Sequence, residues 1–433
     1  MTIIYDPRRI SRLLRRCAYA AAALLCTLSV SAHDPAGYAA SSVLADGNWG
    51  KIRVSQTGIQ FVSASTLRQL GFQDPQKVNV YGFGGRLQED ALRESDPDDL
   101  PMLPSVKSAD GIWFFGHNHI RWSRSATSSS LPYEHSMQPY AEESWYFLSD
   151  RNASDVTLPA ASLPTSASEE SSVFTAMLLH EQDLMHPSTS GRIYLGEDFR
   201  NTPSRNISFA LTDKASDEIN WRIAFGTRTT ASSTVTVTPP QGNPLTINIG
   251  ALANSNGEFD DNYLKYVTSA GSGSSSSEQS SLSVAFSCPG TVRFANLDYI
   301  ELAYTRHLTL RDGQLYFPVF LRKATRLNIA NAESGMRIWD ITDHTRPEEV
   351  AYTLSGSTAS FIAPSGNREY VAFVPMKGGY AVAEPTSVSN QDLHSLNTPD
   401  LLIITPHEYL AAANTLAAHH REHDGLSVQV LEP

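Results

Sequence analysis

Residues 49–63 read "WGKIRVSQTGIQFVS". Apolar and polar residues alternate on both sides of Thr57-Gly58, as they do in strands that lay one face on a core. Glycine at the join suits a tight turn. The stretch therefore predicts a hairpin and sets a β reading for its surroundings. Next comes "SASTLRQLGF" (63–72), a short helix with Ser65 as N-cap and Gly71 as its stop. Further strands follow in "KVNVYGFGG" (77–85), "DGIWFFG" (110–116) and "SWYFLSD" (144–150).

The same texture continues beyond a linker-like run, "LPAASLPTSASEESS" at 158–172. Strands are expected in "RNISFALTD", "INWRIAFGTR", "STVTVTP", "LTINIGA" and "DYIELAYTRHL", and residues 336–373 have the strand-and-turn rhythm of a small sandwich. By composition, "TSAGSGSSSSEQSSLS" (268–283) reads as a flexible loop. The tail differs in kind. "DLLIIT" (400–405) is a continuous apolar run, as in a strand buried on both faces. "PHEYLAAANTLAAHHREH" reads as a helix capped by Thr405 with Pro406 in its first turn. Asp424-Gly425 stops it, and "LSVQVLE" alternates. Strand, crossover helix and strand make a βαβ unit with parallel pairing. The predicted fold is mainly β: consecutive antiparallel sandwich-like domains ending in the first βαβ unit of an α/β domain. The divisions are a signal peptide at 1–32, an N-terminal β domain at 33–157, the linker at 158–172, a β-rich region of two sub-domains at 173–397, and the α/β start at 398–433.

Basic "MTIIYDPRRISRLLRR", apolar "CAYAAAALLCTLSV" and "VSA" before His33 form a three-part secretory signal cleaved after Ala32. The apolar part is too short to span a bilayer. The whole chain carries a formal charge of −12, and losing five Arg and one Asp with residues 1–32 makes the mature chain more acidic still. That balance argues against nucleic acid and anionic membranes as partners. Cys17 and Cys26 leave with the signal, so Cys288 stands alone without an intramolecular disulfide partner.

Chemistry-bearing motifs are few. His419, Glu422 and His423 fit the H-x-x-E-H pattern of inverted zinc peptidases. His and Arg in a helix's last turn equally complement the dipole, and no third ligand follows. "FFGHNH" puts His117 at a strand end, where it could serve as a base, with His119 as a metal ligand; a half-exposed turn pair is the plainer reading. Cys288 lies in an apolar alternation beside Pro289-Gly290, the setting of a small buried hydrophobe. "YGFGGRL" lacks the spacing of a phosphate or dinucleotide loop and reads as a turn. The acidic "ESDPDDL", "GEDF" and "GEFDDN" could hold calcium but lack EF-hand spacing, and read as solvated loop charge. No catalytic, metal-binding or cofactor-binding residue is assigned, and no cofactor is expected.

Several phrases together resemble one family. "SVLADGNWGKIRVSQTGIQFVSASTLRQLGF", "DPQKVNVYGFGG", "DDLPMLP" and "DGIWFFG" with "IRW" resemble the N-terminal region of the type IX secretion system sortases. "PYAEESWYFLSD", "HEQDLMHPSTSGRIYLGEDF", "FANLDYIELAYTRHL" and "MRIWDITDHTRPEEV" follow in the family's order. Residues 398–430 look like the opening strand, helix and strand of a gingipain-type cysteine peptidase domain. The resemblance covers nearly all of residues 42–433. It implies a peptidase that removes C-terminal sorting domains from secreted cargo and joins cargo to anionic lipopolysaccharide at the outer-membrane surface. Cargo and other outer-membrane secretion components would be its partners. It also implies a thiolate nucleophile and a proton-shuttling His, both beyond Pro433, so neither His117 nor Cys288 takes those roles. The chain is then an N-terminal, non-catalytic fragment, inactive as a peptidase alone. The alternative is a complete exported β-rich binding or adhesion module without enzymatic activity.

Overall fold

A computed structural model describes residues 38–85, 97–125, 128–138, 141–152, 154–187, 193–252 and 263–432. The signal-peptide reading, "GEFDDN" and part of "ESDPDDL" lie outside the described residues.

The opening stretch is an arch rather than a hairpin. Trp49–Val54 and Gly58–Ser63 do not pair with each other. The first lies between Ala383–Val388 and Ser144–Ser149, the second between Tyr380–Ala381 and Gly111–Gly116. Gly58 explains the turn: its φ is +147°, and a Cβ there would sit 2.7 Å from the Gln314 side chain. Local alternation gives the strands but cannot say whether they join one sheet or two. The two sheets enclose a core of Ile52, Val54, Val62, Leu67, Phe72, Val80, Ile112, Phe114, Tyr146 and Leu148. The helix Ala64–Gln69 forms as expected, with one change of cap: Ser63 Oγ, not Ser65, accepts from the Thr66 N–H at 3.1 Å. Strands at 380–388, read as part of the second β region, thus complete the first sandwich.

Two 16-residue strands, Lys214–Thr229 and Val292–His307, pair antiparallel at the centre of the next sheet. Val173–Glu181 and Lys265–Ser274 flank them. Ile219, Trp221, Ile223 and Phe225 point inward at alternate positions toward a second sheet of four strands. Two further four-stranded sheets, one ordered around Gly366–Phe373 and one around Thr325–Ile329, extend the same core. The 158–172 run is partly pinned, with Ala161 N–H donating to the Glu349 carbonyl at 2.8 Å.

The Ser/Gly run at 268–283 is not a loop. It forms most of the strands Lys265–Ser274 and Gln279–Ser287, which belong to two different sheets. Composition misleads because small residues are required here: Gly271 lies opposite the fully buried Trp221, and a Cβ on it would come within 2.6 Å of the indole.

Compact units divide the chain in two, one made of Asn48–Gln88 and Leu100–Val388, the other of Met1–Gly47, Glu89–Asp99 and Ser389–Pro433. In the latter, Asp392 and Asp99 accept from the backbone N–H groups of Ser42 and Val43 at 2.7 and 2.6 Å. Leu401–Ile404 pairs in parallel with Val428–Leu431, so the βαβ unit is present. Its helix starts later than expected: His407–Tyr409 is a 3-10 turn without a side-chain cap, and the α-helix runs Leu410–His419. A π-helical turn, His420–Asp424, continues it and ends at Gly425 in the left-handed conformation at φ 70°. The first strand is covered on one face only, since Leu402 and Ile404 are 48% and 64% exposed. No helix among the described residues is long and apolar enough to cross a membrane.

Gly271→Val should destabilise the unit of Asn48–Gln88 and Leu100–Val388 by about 2 kcal/mol through overpacking against Trp221. Urea unfolding followed by tryptophan fluorescence measures it. An unchanged midpoint would show that the strand yields.

Candidate functional site

One two-stranded element pairs with none of the larger sheets. Ile120–Arg124 and Tyr133–Met137 form an isolated hairpin, with Trp122 opposite His135. Its outer strand is tied to the central sheet by charge. His135 donates from Nδ1 to Glu301 at 2.7 Å and sets Nε2 2.7 Å from the Glu181 carboxylate, while its backbone N–H also reaches Glu301 at 2.8 Å. Arg222 completes the pairing of Glu301, which is only 1% exposed. Tyr299 and Trp122 meet the imidazole edge-on. At the hairpin's other end the Arg124 guanidinium lies 3.7 Å over the Phe320 ring.

Both His135 nitrogens face a carboxylate, which favours the imidazolium. Burial alone would lower its pKa, but the bonds and charges of Glu181 and Glu301 outweigh burial and raise it to about 9. Glu301 is correspondingly held below the usual carboxylate range, because the His135 bonds overcome its own burial. Nearby, burial pushes Asp298 up to about 6, only partly offset by the hydrogen bond from Tyr266, and Glu181 and Asp183 add to the rise.

Beside this hairpin is a cavity of about 210 Å³ lined by Thr57, the 117–122 segment, Met177, Tyr316, His344 and Glu369. The strand Gly111–Gly116 delivers His117, whose backbone N–H donates to Tyr146 Oη at 3.0 Å. Gly84 of "YGFGG", at φ +69°, leaves room for the ring; a Cβ there would be 2.9 Å from His117 Cε1. That glycine run is a turn, as read, but one shaped to a histidine. His117 Nδ1 lies 3.0 Å from the Asn118 carbonyl oxygen.

His344 comes from "DITDHT" (340–345). Asp340 and Asp343 each accept from the backbone N–H two residues on, at 3.0 Å, giving two successive Asx turns. These bring His344 Nε2 to 2.8 Å from Glu369, and its ring centroid to 5.1 Å from that of His117. Tyr316 pairs with Val371, which makes Glu369 its diagonal neighbour on the same face, and its hydroxyl donates to Glu369 at 3.0 Å. His119 is half-buried; burial lowers its pKa despite the surrounding carboxylates of Glu142, Glu143, Glu181 and Asp183.

The sequence motifs thus disperse. His117 and His119 share a cavity with two residues, His344 and Glu369, that carried no signal because they lie more than 200 positions further along the chain. Thr57 offers no nucleophile: its hydroxyl donates to Asn118 Oδ1 and accepts from Asn118 N–H. Cys288 sits at a turn, its thiol 3.6 Å from the Ala231 carbonyl and accepting from Gly290 N–H at 3.4 Å. In "GEDF", Glu197 is bonded to His180 at 2.7 Å and Asp198 to Arg200 at 2.6 Å. His419 and His423 stack with centroids 4.3 Å apart. Among the described residues no three His, Cys, Asp or Glu side chains converge to hold a metal ion.

No family model and no curated protein matches the chain. Among solved structures, the crystal structure of dimeric latent PorU from Porphyromonas gingivalis matches with a TM-score of 0.79 and 25% identity, over 91% of this chain. The chain is PorU-like. The match covers 38% of the PorU chain, so this chain spans about two fifths of that protein's length. A protein of Listeria monocytogenes EGD-e, lmo2446, aligns over 60% of this chain and 19% of its own at a TM-score of 0.20 and 11% identity, too low to carry an argument. The PorU likeness bears out the family resemblance and the mainly β fold read from the sequence.

His135→Gln should cost about 3 kcal/mol near neutral pH by leaving Glu301 and Glu181 underpaired. The folded-state pKa of about 9 lies above the unfolded value. The His135 contribution is therefore complete below the unfolded pKa of about 6.5 and is lost as pH rises through 9. Thermal melts of both proteins should converge over that window. Asp298→Asn has the opposite consequence: a raised carboxyl pKa means stability lost as pH rises through about 6. The variant should melt above the parent at pH 8 and near it at pH 4. A pH-independent difference in either case would rule out the titration.

Proposed function

We propose that this chain serves the non-catalytic β portion of a cell-surface sortase of the gingipain-type cysteine peptidase family. On this reading the protein takes part in removing C-terminal sorting domains from type IX secretion cargo, and in joining cargo to anionic lipopolysaccharide. Its partners are that cargo and other outer-membrane components of the secretion system, and it reaches the surface through a Sec-type signal. The single observation behind the proposal is the PorU likeness over 91% of the chain at a TM-score of 0.79. The βαβ unit at 401–431 agrees with the opening of a peptidase domain. The β domains would position the peptidase on its secretion partners.

No residue of this chain is proposed as nucleophile or proton shuttle. The Cys288 thiol is engaged by the Ala231 carbonyl and the Gly290 N–H. His117 is surrounded by Tyr146, Asn118 and His344.

Inactivating the gene in its native host should leave cargo with the sorting domain uncleaved, visible as a mass increase of surface proteins. Normal cargo processing would overturn the proposal. The purified chain should not hydrolyse peptide substrates, and Cys288→Ala should change nothing. Hydrolysis that disappears in Cys288→Ala would place catalysis within this chain and reject the non-catalytic role.

A further inference from the structure

The cavity at His117 and His344 has a chemistry that peptidase action does not use. Its walls offer ring faces and lone pairs. His117, Trp122, Tyr316 and His344 line it, and Phe115 backs them, edge-on to His344 at 5.4 Å and 6.0 Å from Tyr316. Glu369 supplies a carboxylate whose side chain is 15% exposed. His344 is 10% exposed at its side chain. Since its Nε2–H donates to Glu369, Nδ1 carries a lone pair, and that buried atom has no hydrogen-bond partner in the protein. His119 Nδ1 is likewise buried and unpartnered.

Buried acceptors without donors are costly, which makes a donor-rich ligand favourable here. Aromatic faces beside a carboxylate attract a cation specifically. Of the carboxylates that act on His119, Glu142 and Asp183 deepen the negative potential, while Glu143 and Glu181 are paired with Arg53 and His135. Among the described residues, the one guanidinium lining the cavity, that of Arg121, belongs to an exposed residue. At about 210 Å³ the space is smaller than the roughly 300–1,000 Å³ of drug-sized sites and suits one side chain.

We propose that this cavity recognises a primary ammonium group on an aliphatic stem, the chemistry shared by a lysine side chain and a small alkylamine. The ammonium N–H groups donate to the free His344 Nδ1 and His119 Nδ1, the charge faces Glu369, and the stem lies against Trp122 and Met177. The inference rests on the cavity alone and stands whether or not the sortase reading does.

Calorimetric titration with Nα-acetyl-lysine amide and, separately, with ethanolamine tests it and distinguishes a polypeptide from a small-amine source. Saturable 1:1 binding of either is expected, with no binding of Nα-acetyl-norleucine amide, which keeps the stem and lacks the charge. Glu369→Gln, which preserves shape and removes charge, should weaken binding about tenfold. Arg121→Glu, at an exposed position, should strengthen it several-fold and reports even if Glu369→Gln fails to fold. Equal binding of the norleucine compound, affinity unmoved by Arg121→Glu, or no saturable binding of either amine would overturn the proposal. So would a cavity that takes Zn²⁺ through its imidazoles and no amine.

Discussion

A carboxylate that is 1% exposed cannot remain ionised without partners, and Glu301 sits in the middle strand of the central sheet in that condition. Arg222 meets one oxygen from the neighbouring strand. His135 meets the other with both a ring nitrogen and a backbone N–H. This requirement fixes the hairpin 120–137, which has no sheet of its own. The hairpin in turn supplies Ile120, Arg121 and Trp122 to the wall of the His117 cavity. Remove the need to neutralise Glu301, and nothing in the backbone pairing holds the hairpin in place.

How far the sequence revealed this depends on distance along the chain. Period-two alternation in "WGKIRV" and "INWRIAF" found the strands, since each inward residue is fixed by its neighbours two positions away. The βαβ tail was legible for a similar reason, with Gly425 marking the helix end. What alternation could not give is the partner. Trp49–Val54 and Gly58–Ser63 look like a hairpin by every local rule, and they separate because Ala383–Val388 and Tyr380–Ala381 compete for them. The 268–283 run misled in the opposite sense, since its glycine is set by an indole 50 positions earlier.

The candidate site shows the same division. His117 and His119 stood out as a pair, but a His pair after a strand has many plain explanations. The residues that give the cavity its character, His344 and Glu369, carry no motif. Their conjunction depends on two Asx turns, a strand register and a core shared between sheets. The sequence held the means for each of these and no indication that they meet.

The return of residues 380–388 to the first sandwich has a consequence for how the protein comes into being. Trp49–Val54 and Gly58–Ser63 each wait for an edge partner made more than 300 residues later. Until then two strand edges near the start of the chain stay open to the wrong neighbour. Contacts of such long sequence separation form slowly. The first sandwich therefore closes only after residues 380–388 have been made, and its open edges need shielding in the meantime.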